Sequence, residues 1–210
     1  MAVWGIVVGA GRGDRFGEPK QFCNLAGVRV IDRACALLRS ECDGVVVVLP
    51  PGVSWDGDAA VTAVPGGSTR AESVRRGLAA VPAGAEVVLV HDAARPLATA
   101  AVCDAVIGAV REGADASVPA LPVRDTIKRI DGGRVVETVD RASLVAVQTP
   151  QAFRAEALRA AHAAGDDATD DAALVEAAGG TVVVVPGDPR NIKITTPDDL
   201  LVAAALLERP

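Results

Sequence analysis

The chain has 210 residues, half of them apolar, with 27 acidic and 21 basic side chains and a formal net charge of −6. This length suits one sizeable core, whereas the acidic balance, the lack of a basic tract and the scarcity of aromatic residues exclude a protein that tracks a nucleic-acid backbone. Two histidines are too few for a multi-histidine metal site, and no apolar run approaches the roughly 18 residues that a membrane helix requires.

The first predicted strand, Val3–Val8, runs into a glycine-rich segment at positions 9–21, which we call the glycine loop. Its glycines at positions 9, 11, 13 and 17 allow positive φ and a close approach of backbone N–H groups to an anion. Arg15 and Lys20 supply positive charge in the same segment. The glycine loop therefore predicts a phosphate-binding cradle; the alternative is a surface turn whose cations face water.

The spacing within the glycine loop excludes two common nucleotide motifs. The dinucleotide pattern G-x-G-x-x-G fails in both registers, because Asp14 and Phe16 stand where the third glycine is required. The second predicted strand, Val45–Leu49, is followed by prolines and a glycine instead of an acidic residue for a ribose. A Walker motif is excluded as well, because no Gly-Lys-Ser/Thr follows the loop.

Short apolar runs alternate with helical patterns along most of the chain. The predicted strands are Val3–Val8, Val45–Leu49, Val61–Val64, Val87–Val90 and Ser117–Ala120, and the predicted helices are Val30–Ser40, Ala71–Ala80, Ala101–Glu112 and Pro197–Leu207. Thr69 with Glu72 predicts a capping box for the second helix, and Thr196 before Pro197 predicts the start of the last one. This alternation predicts an α/β, Rossmann-like fold with a mostly parallel sheet covered on both faces.

Residues 121–148 depart from this alternation and predict a hairpin, which we call the arm. Alternating residues 123–130 lead into the turn Asp131-Gly132-Gly133, and Arg134–Val139 returns. An isolated hairpin is marginal in water, so we expect the arm to lie against a second copy of the chain; the alternative is an arm folded over its own domain. We therefore predict a single domain, residues 1–210, that forms a homodimer through the arm.

The segment from His91 to Pro96 directly follows a predicted strand. Ligands of open α/β sheets gather at the carboxyl ends of strands, so Asp92 is expected on the same edge as the glycine loop. One carboxylate suffices there for Mg²⁺, because nucleotide phosphates and water complete its ligands. The alternative is that Asp92 pairs with Arg95 to fasten the loop. We expect His91 to be a buried packing residue.

Three further segments place polar groups near that edge. Residues 66–73 form a glycine turn that leads into a helix N-terminus, where free N–H groups favour a base carbonyl or a phosphate; ordinary capping is the alternative. Arg141 follows the arm hairpin, and Lys193 precedes the last helix. Each is a single cation in an apolar setting, where solvation by snorkelling is the usual outcome.

In combination these segments resemble the 2-C-methyl-D-erythritol 4-phosphate cytidylyltransferase family along nearly the whole chain. The matching segments are Ala10-Gly11-x-Gly13-x-Arg15, Pro19-Lys20-Gln21, Gly67 to Ser73, His91 to Pro96, residues 122–128, Thr138 to Arg141, Thr149-Pro150-Gln151 and Asn191-Ile192-Lys193. The resemblance implies a fold of the nucleotide-diphospho-sugar transferase type. It also implies a homodimer that uses CTP and Mg²⁺ to make a cytidine-diphosphate methylerythritol for isoprenoid synthesis.

The resemblance assigns roles to particular residues. Arg15 and Lys20 would stabilise charge at the α-phosphate as pyrophosphate leaves, and Arg141 and Lys193 would complete the catalytic set. Asp92 would hold Mg²⁺ and CTP. The remaining CTP contacts would be Ala10, Gly11, Gly13, Gly67 and Ser73, with the last two reading cytosine. The acceptor would contact Arg95, Thr126, Arg141 and Lys193, of which Thr126 and Arg141 would serve the partner subunit's site.

Two departures and two rival functions remain open. Gly9 stands where the family commonly has another residue before the alanine, and Arg190 stands before Asn191 where an acid is common. The rivals are a cytidylyltransferase for another polyol phosphate, such as ribitol 5-phosphate, and a non-catalytic nucleotide-sensing module. The four cysteines form no Cys-x-x-Cys pair, so scattered reduced thiols predict a cytoplasmic location.

Overall fold

The computed structural model describes residues 1–11, 16–17, 19–163 and 170–208, in which strands and helices alternate. The strands are β1 (Val3–Val8), β2 (Asn24–Leu25), β3 (Val28–Arg29), β4 (Gly44–Leu49), β5 (Val61–Pro65), β6 (Val87–Asp92), β7 (Ala116–Pro122), β8 (Ile127–Asp131), β9 (Arg134–Val139), β10 (Val145–Val147), β11 (Gln151–Arg154) and β12 (Val182–Pro186). The helices are α1 (Val30–Glu41), α2 (Arg70–Ala80), α3 (Ala100–Arg111), α4 (Ala155–Ala163), α5 (Asp171–Ala177) and α6 (Pro197–Leu207). The predicted strands and helices are confirmed, with ends that differ by one or two residues.

The central sheet is mixed, with a parallel half that carries the glycine loop. Strands β6, β1, β4 and β5 lie side by side and run parallel. In the other half, β11 pairs antiparallel with both β6 and β7, β10 pairs antiparallel with β7, and β12 pairs parallel with β7. Because β6, β1, β4 and β5 share one direction, the segments that follow them meet at one edge of the sheet.

Both faces of the sheet are covered by helices, as the continuous apolar strands predicted. Helices α1 and α3 pack on one face with residues such as Val7 and Val47, and α2, α4 and α5 pack on the other with residues such as Ile6 and Val48. Every residue of β4 is buried, which explains why its sequence does not alternate. The predicted α/β, Rossmann-like class is confirmed.

The two predicted helix starts differ in outcome. At α6 the Asp199 carboxylate accepts the backbone N–H groups of Thr195 and Thr196, both at 2.8 Å, and a capping box is formed. At α2 the box is formed in one direction only. The Thr69 hydroxyl accepts the Glu72 N–H at 3.1 Å, but the Glu72 carboxylate accepts the N–H of Ser68, at 2.6 Å. The Glu72 carboxylate therefore binds the backbone of Ser68, the residue before Thr69.

Within the predicted arm, residues 121–148, the hairpin consists of β8 and β9, whereas the ends of that range belong to the central sheet, because residues 121–122 end β7 and β10 pairs with β7. Strands β8 and β9 pair antiparallel, and their turn residues Gly132 and Gly133 have φ of 51° and 78°. Positive φ at both turn positions matches the right-handed twist of hairpin strands. Neither strand pairs with the central sheet, and Ile130, Val135 and Val136 are each more than half exposed. Among the described residues, no helix is both long and apolar enough to cross a bilayer.

Candidate active site

A cleft of about 1260 Å³ lies at the carboxyl ends of the four parallel strands. Each of these strands contributes a segment to its wall. Residues 9–11 follow β1, Pro50 and Pro51 follow β4, residues 66–70 follow β5, and Asp92 ends β6. The cleft is therefore where the parallel topology predicts a ligand site.

The glycine loop enters this cleft, but its glycines serve different purposes. The N–H of Gly9 donates to Val48 O at 2.8 Å, so it extends the sheet and is not available to a phosphate. A Cβ at Gly9 would lie 2.8 Å from Ile31, whereas one at Gly11 would meet nothing within 4 Å. Of the described loop glycines only Gly17 has a positive φ, 89°. The expectation of positive φ was thus wrong for Gly9 and Gly11, and Gly13 and Arg15 lie outside the described residues.

Gln21 holds the glycine loop in place. Its side chain is buried, and its amide nitrogen donates to Gly9 O at 2.8 Å and to Gly11 O at 3.0 Å. The preceding residue, Lys20, begins a 3₁₀ turn and lines the cleft. In the Pro19-Lys20-Gln21 sequence, Gln21 therefore fixes the loop and Lys20 places a cation in the cleft.

The turn at residues 66–73 forms the opposite wall. Gly66 comes so close to the glycine loop that a Cβ there would lie 2.3 Å from the Cβ of Ala10. The Ser73 hydroxyl accepts the Gly67 N–H at 3.1 Å and donates to Thr69 O at 2.9 Å. Ser73 is almost fully buried. It therefore holds the turn, whose residues 66–70 line the cleft.

Asp92 and two cations form the charged centre of the cleft. Lys193 Nζ donates to one Asp92 oxygen at 2.6 Å, and Arg70 lies 3.5 Å from the other. Burial alone would raise the pKa of Asp92, but Arg70 and Lys193 outweigh it and lower this pKa to about 2. The cleft thus contains a carboxylate that is ionised near neutral pH, next to two positive charges.

Buried hydrogen bonds behind Asp92 fix its backbone. The Asp92 N–H donates to the Thr149 hydroxyl oxygen at 3.0 Å. The same hydroxyl oxygen lies 3.0 Å from Nδ1 of His91. The other His91 nitrogen, Nε2, is 3.1 Å from Arg95 O, which can only accept, so Nε2 carries the proton and Nδ1 accepts from Thr149. Burial lowers the pKa of His91 to about 4. His91 is buried as expected, but it is a hydrogen-bonding residue as well as a packing one.

A second set of bonds brings Lys193 to Asp92. The Asn191 amide donates to Thr149 O at 2.8 Å, and the Ile194 N–H donates to Ala94 O at 2.8 Å. These bonds fasten the segment before Lys193 to the residue pair that precedes β11, and the segment after it to the loop that follows β6. Arg190, in contrast, donates to Leu206 O at the end of α6, at 2.6 Å.

The remaining candidates lie apart from the cleft wall. Arg95 does not fasten its loop through Asp92; its guanidinium donates to Asn191 O at 2.8 Å and to Val147 O at 3.4 Å. In the arm, Arg141 donates to Arg124 O, and Thr126 is exposed. In the part of the chain that the structure describes, Arg95, Thr126 and Arg141 are not among the residues that line the cleft.

Sequence reasoning overlooked several residues of this site. It left Gln21 without a separate role, and it did not single out Arg70, although a cation at the first position of a helix that follows two glycines was a usable signal. Nothing in the local sequence links Arg70 to Asp171, 101 residues away, yet the two are 2.6 Å apart.

Comparisons with known proteins agree over the whole length. The family model described as 2-C-methyl-D-erythritol 4-phosphate cytidylyltransferase matches residues 3–209. The protein of that name from Nocardia farcinica is 47% identical over 225 residues, covering 99% of this chain and 95% of that one. A bifunctional IspD/IspF enzyme from Anaeromyxobacter dehalogenans is 48% identical over 226 residues, and the chain spans 58% of its length. The crystal structure of the Thermus thermophilus cytidylyltransferase has a TM-score of 0.86 at 36% identity, covering 97% of this chain and 98% of that one.

Proposed function

This chain belongs to the 2-C-methyl-D-erythritol 4-phosphate cytidylyltransferase family, and we propose that the cleft at the carboxyl ends of β1, β4, β5 and β6 performs its reaction. The chain transfers CMP from CTP to 2-C-methyl-D-erythritol 4-phosphate, giving 4-diphosphocytidyl-2-C-methyl-D-erythritol and pyrophosphate. One observation carries the assignment of the cleft: Asp92, Lys193 and Lys20 line the same cavity as the glycine loop.

The reaction requires positioning and charge neutralisation more than proton transfer. A phosphate monoester has a second pKa of about 6, so the acceptor oxygen is already largely anionic near neutral pH. This oxygen attacks the α-phosphorus of CTP, and the bond to the β-phosphate oxygen breaks, with pyrophosphate taking the electron pair. Lys20 and Lys193 neutralise the charge that builds up, and Arg15 would add to them from the glycine loop.

The donors in the cleft fit Mg²⁺ carried by a nucleotide. Among the described residues, no group of three or more His, Cys, Asp or Glu side chains is arranged to hold a metal by itself. Asp92, an ionised oxygen ligand on the cleft wall, supplies the single carboxylate that a nucleotide-bound Mg²⁺ needs. When bound, Mg²⁺ supplies positive charge to the phosphate oxygens. Asp92 would hold and orient that complex, and Lys193 would limit the negative charge around it.

The arm supports a homodimer in which each subunit completes the other's site. Its apolar side chains Ile130, Val135 and Val136 are exposed in the single chain, and exposed apolar side chains grouped on one hairpin favour an interface. Thr126 and Arg141 of the arm would then face the partner's cleft and contact the acceptor phosphate. Sedimentation is expected to show a dimer, and Val135→Ser with Val136→Ser to shift it towards monomer with loss of activity. Leu201→Ser, an exposed apolar position on α6, is the control and leaves the dimer intact.

The thiols support a cytoplasmic location. None of the four cysteines, all of which the structure describes, forms a disulfide. We therefore place the enzyme in the reducing cytoplasm.

Acceptor specificity is tested by pyrophosphate release. The protein is incubated with CTP and Mg²⁺, and with either 2-C-methyl-D-erythritol 4-phosphate or ribitol 5-phosphate. We expect release with the first acceptor, little with the second, and a loss of at least about a hundredfold in kcat for Asp92→Asn. Preference for ribitol 5-phosphate would reassign the acceptor. CTP binding without turnover on either acceptor would favour a nucleotide-sensing module.

A further inference from the structure

Arg70 lies between two carboxylates that belong to different parts of the fold. It is the first residue of α2, and its guanidinium lines the cleft. One terminal nitrogen donates to Asp171 at 2.6 Å, whereas the other is 3.5 Å from Asp92. Arg70 is therefore bound firmly on the side away from the cleft and loosely on the side of Asp92.

Asp171 is a buried carboxylate that binds Arg70 and a histidine. It is the first residue of α5, and its side chain is 1% exposed. Its second oxygen lies 3.0 Å from Nε2 of the buried His162 on α4, and a ring nitrogen that faces a carboxylate donates to it. A buried carboxylate is costly unless it is paired and hydrogen-bonded. Asp171 therefore keeps Arg70 in place.

We propose that Arg70, anchored by Asp171, is a positioning residue that orients the Asp92 carboxylate without occupying it. A guanidinium that is free to move forms short, bidentate bonds with a carboxylate. The bond to Asp171 prevents this, and it leaves one Asp92 oxygen only weakly engaged and accessible from the cleft. The inference rests on the proposed function, in which Asp92 binds the metal-bound nucleotide.

The Asp171→Asn variant separates this mechanism from simple electrostatics. It keeps the size of the side chain but removes the charge that restrains Arg70, so Arg70 closes on Asp92. We expect kcat to fall on the order of tenfold, which corresponds to about 1.4 kcal/mol. By calorimetry, CTP binding with Mg²⁺ weakens, whereas CTP binding in EDTA does not. Long-range electrostatics alone predicts tighter CTP binding, because the variant makes the protein more positive.

A double-mutant cycle with Arg70→Met tests whether Asp171 acts through Arg70. In the Arg70→Met background, Asp171→Asn is expected to change kcat by less than about twofold, and the double variant is more active than Asp171→Asn alone. If Arg70→Met alone does not fold, because Asp171 is left buried and unpaired, the comparison of the double variant with Asp171→Asn remains decisive. An equal loss from Asp171→Asn in both backgrounds, or a double variant less active than the single one, would overturn the proposal.

Arg159 provides a matched structural control. It lies on α4 and also connects this helix to α2, donating to Leu78 O at 3.2 Å and to Val81 O at 3.0 Å, but it does not line the cleft. Arg159→Ala should lower Tm and leave kcat and Mg²⁺-dependent CTP binding unchanged. If Asp171→Asn behaves in the same way, Asp171 is only structural. If the unmodified protein shows no turnover, the proposed function fails, and the calorimetric comparison still decides the role of Asp171.

Discussion

Replacing Gln21 with methionine tests how far the glycine loop depends on one buried amide. Methionine keeps the length and apolar volume of the side chain but removes the two N–H donors that bind Gly9 O and Gly11 O. Gly9 is buried and Gly11 is exposed, so water can replace the amide only at Gly11. One buried carbonyl is left unsatisfied, which costs about 1–3 kcal/mol.

The same free energy sets the expected effect on CTP. If the bound geometry of the loop is destabilised by about 1.4 kcal/mol, the competent fraction falls, and the apparent affinity for CTP weakens on the order of tenfold. Gln21→Glu should be worse, since an ionised carboxylate has no donor for two carbonyl oxygens. The measurements are the Kd for CTP by calorimetry and the free energy of unfolding in urea.

A control of similar stability cost separates the loop from the core. Ile107 on α3 is buried and does not line the cleft, and Ile107→Val should cost about 0.5–1.5 kcal/mol with no change in CTP affinity. If Gln21→Met lowers stability but binds CTP within about twofold of the unmodified protein, the reasoning is refuted, and the amide supports only the fold.

Three further outcomes are expected from the structure. Lys20→Ala should lower kcat on the order of a hundredfold or more with Tm unchanged, since a preorganised charge is lost; full kcat would show that Lys20 only binds. Burial raises the pKa of the Cys35, Cys42 and Cys103 thiols to about 12, so a disulfide reagent near neutral pH should modify them only after unfolding; rapid native reaction at any of the three would contradict this. The pKa of Asp92 in the folded protein is lowered to about 2. The stability that its charge contributes is therefore present above the unfolded-state pKa and is lost only as the pH falls through the folded-state pKa. The pH profile of kcat/KM should therefore have no acidic limb from Asp92 between about pH 5 and 8; a limb in that range that shifts in Asp92→Glu would contradict the pairing.

The local sequence determined the backbone and the general position of the site. Continuous apolar runs such as Val87–Val90 encode buried parallel strands, because both of their faces are covered. Asp92, two residues after such a run, had to lie at the carboxyl edge of the sheet, and Gly132-Gly133 between alternating residues had to form a tight turn. These features depend on the spacing of apolar residues and on the backbone conformations that neighbouring residues allow. Both can be read from one short stretch of sequence.

The tertiary structure alone decided which side chains meet. Lys193 and Asp92 are 101 residues apart in the chain and 2.6 Å apart in space, and the firm bond of Arg70 goes to Asp171 instead of Asp92. The Gly9 N–H, expected to face a phosphate, was taken by the sheet. Such partners depend on how distant segments pack once the sheet has formed, because charge and hydrogen-bonding groups choose among all neighbours in space. The sequence therefore predicts that the edge of the sheet binds phosphate, and packing decides which cation holds which carboxylate there.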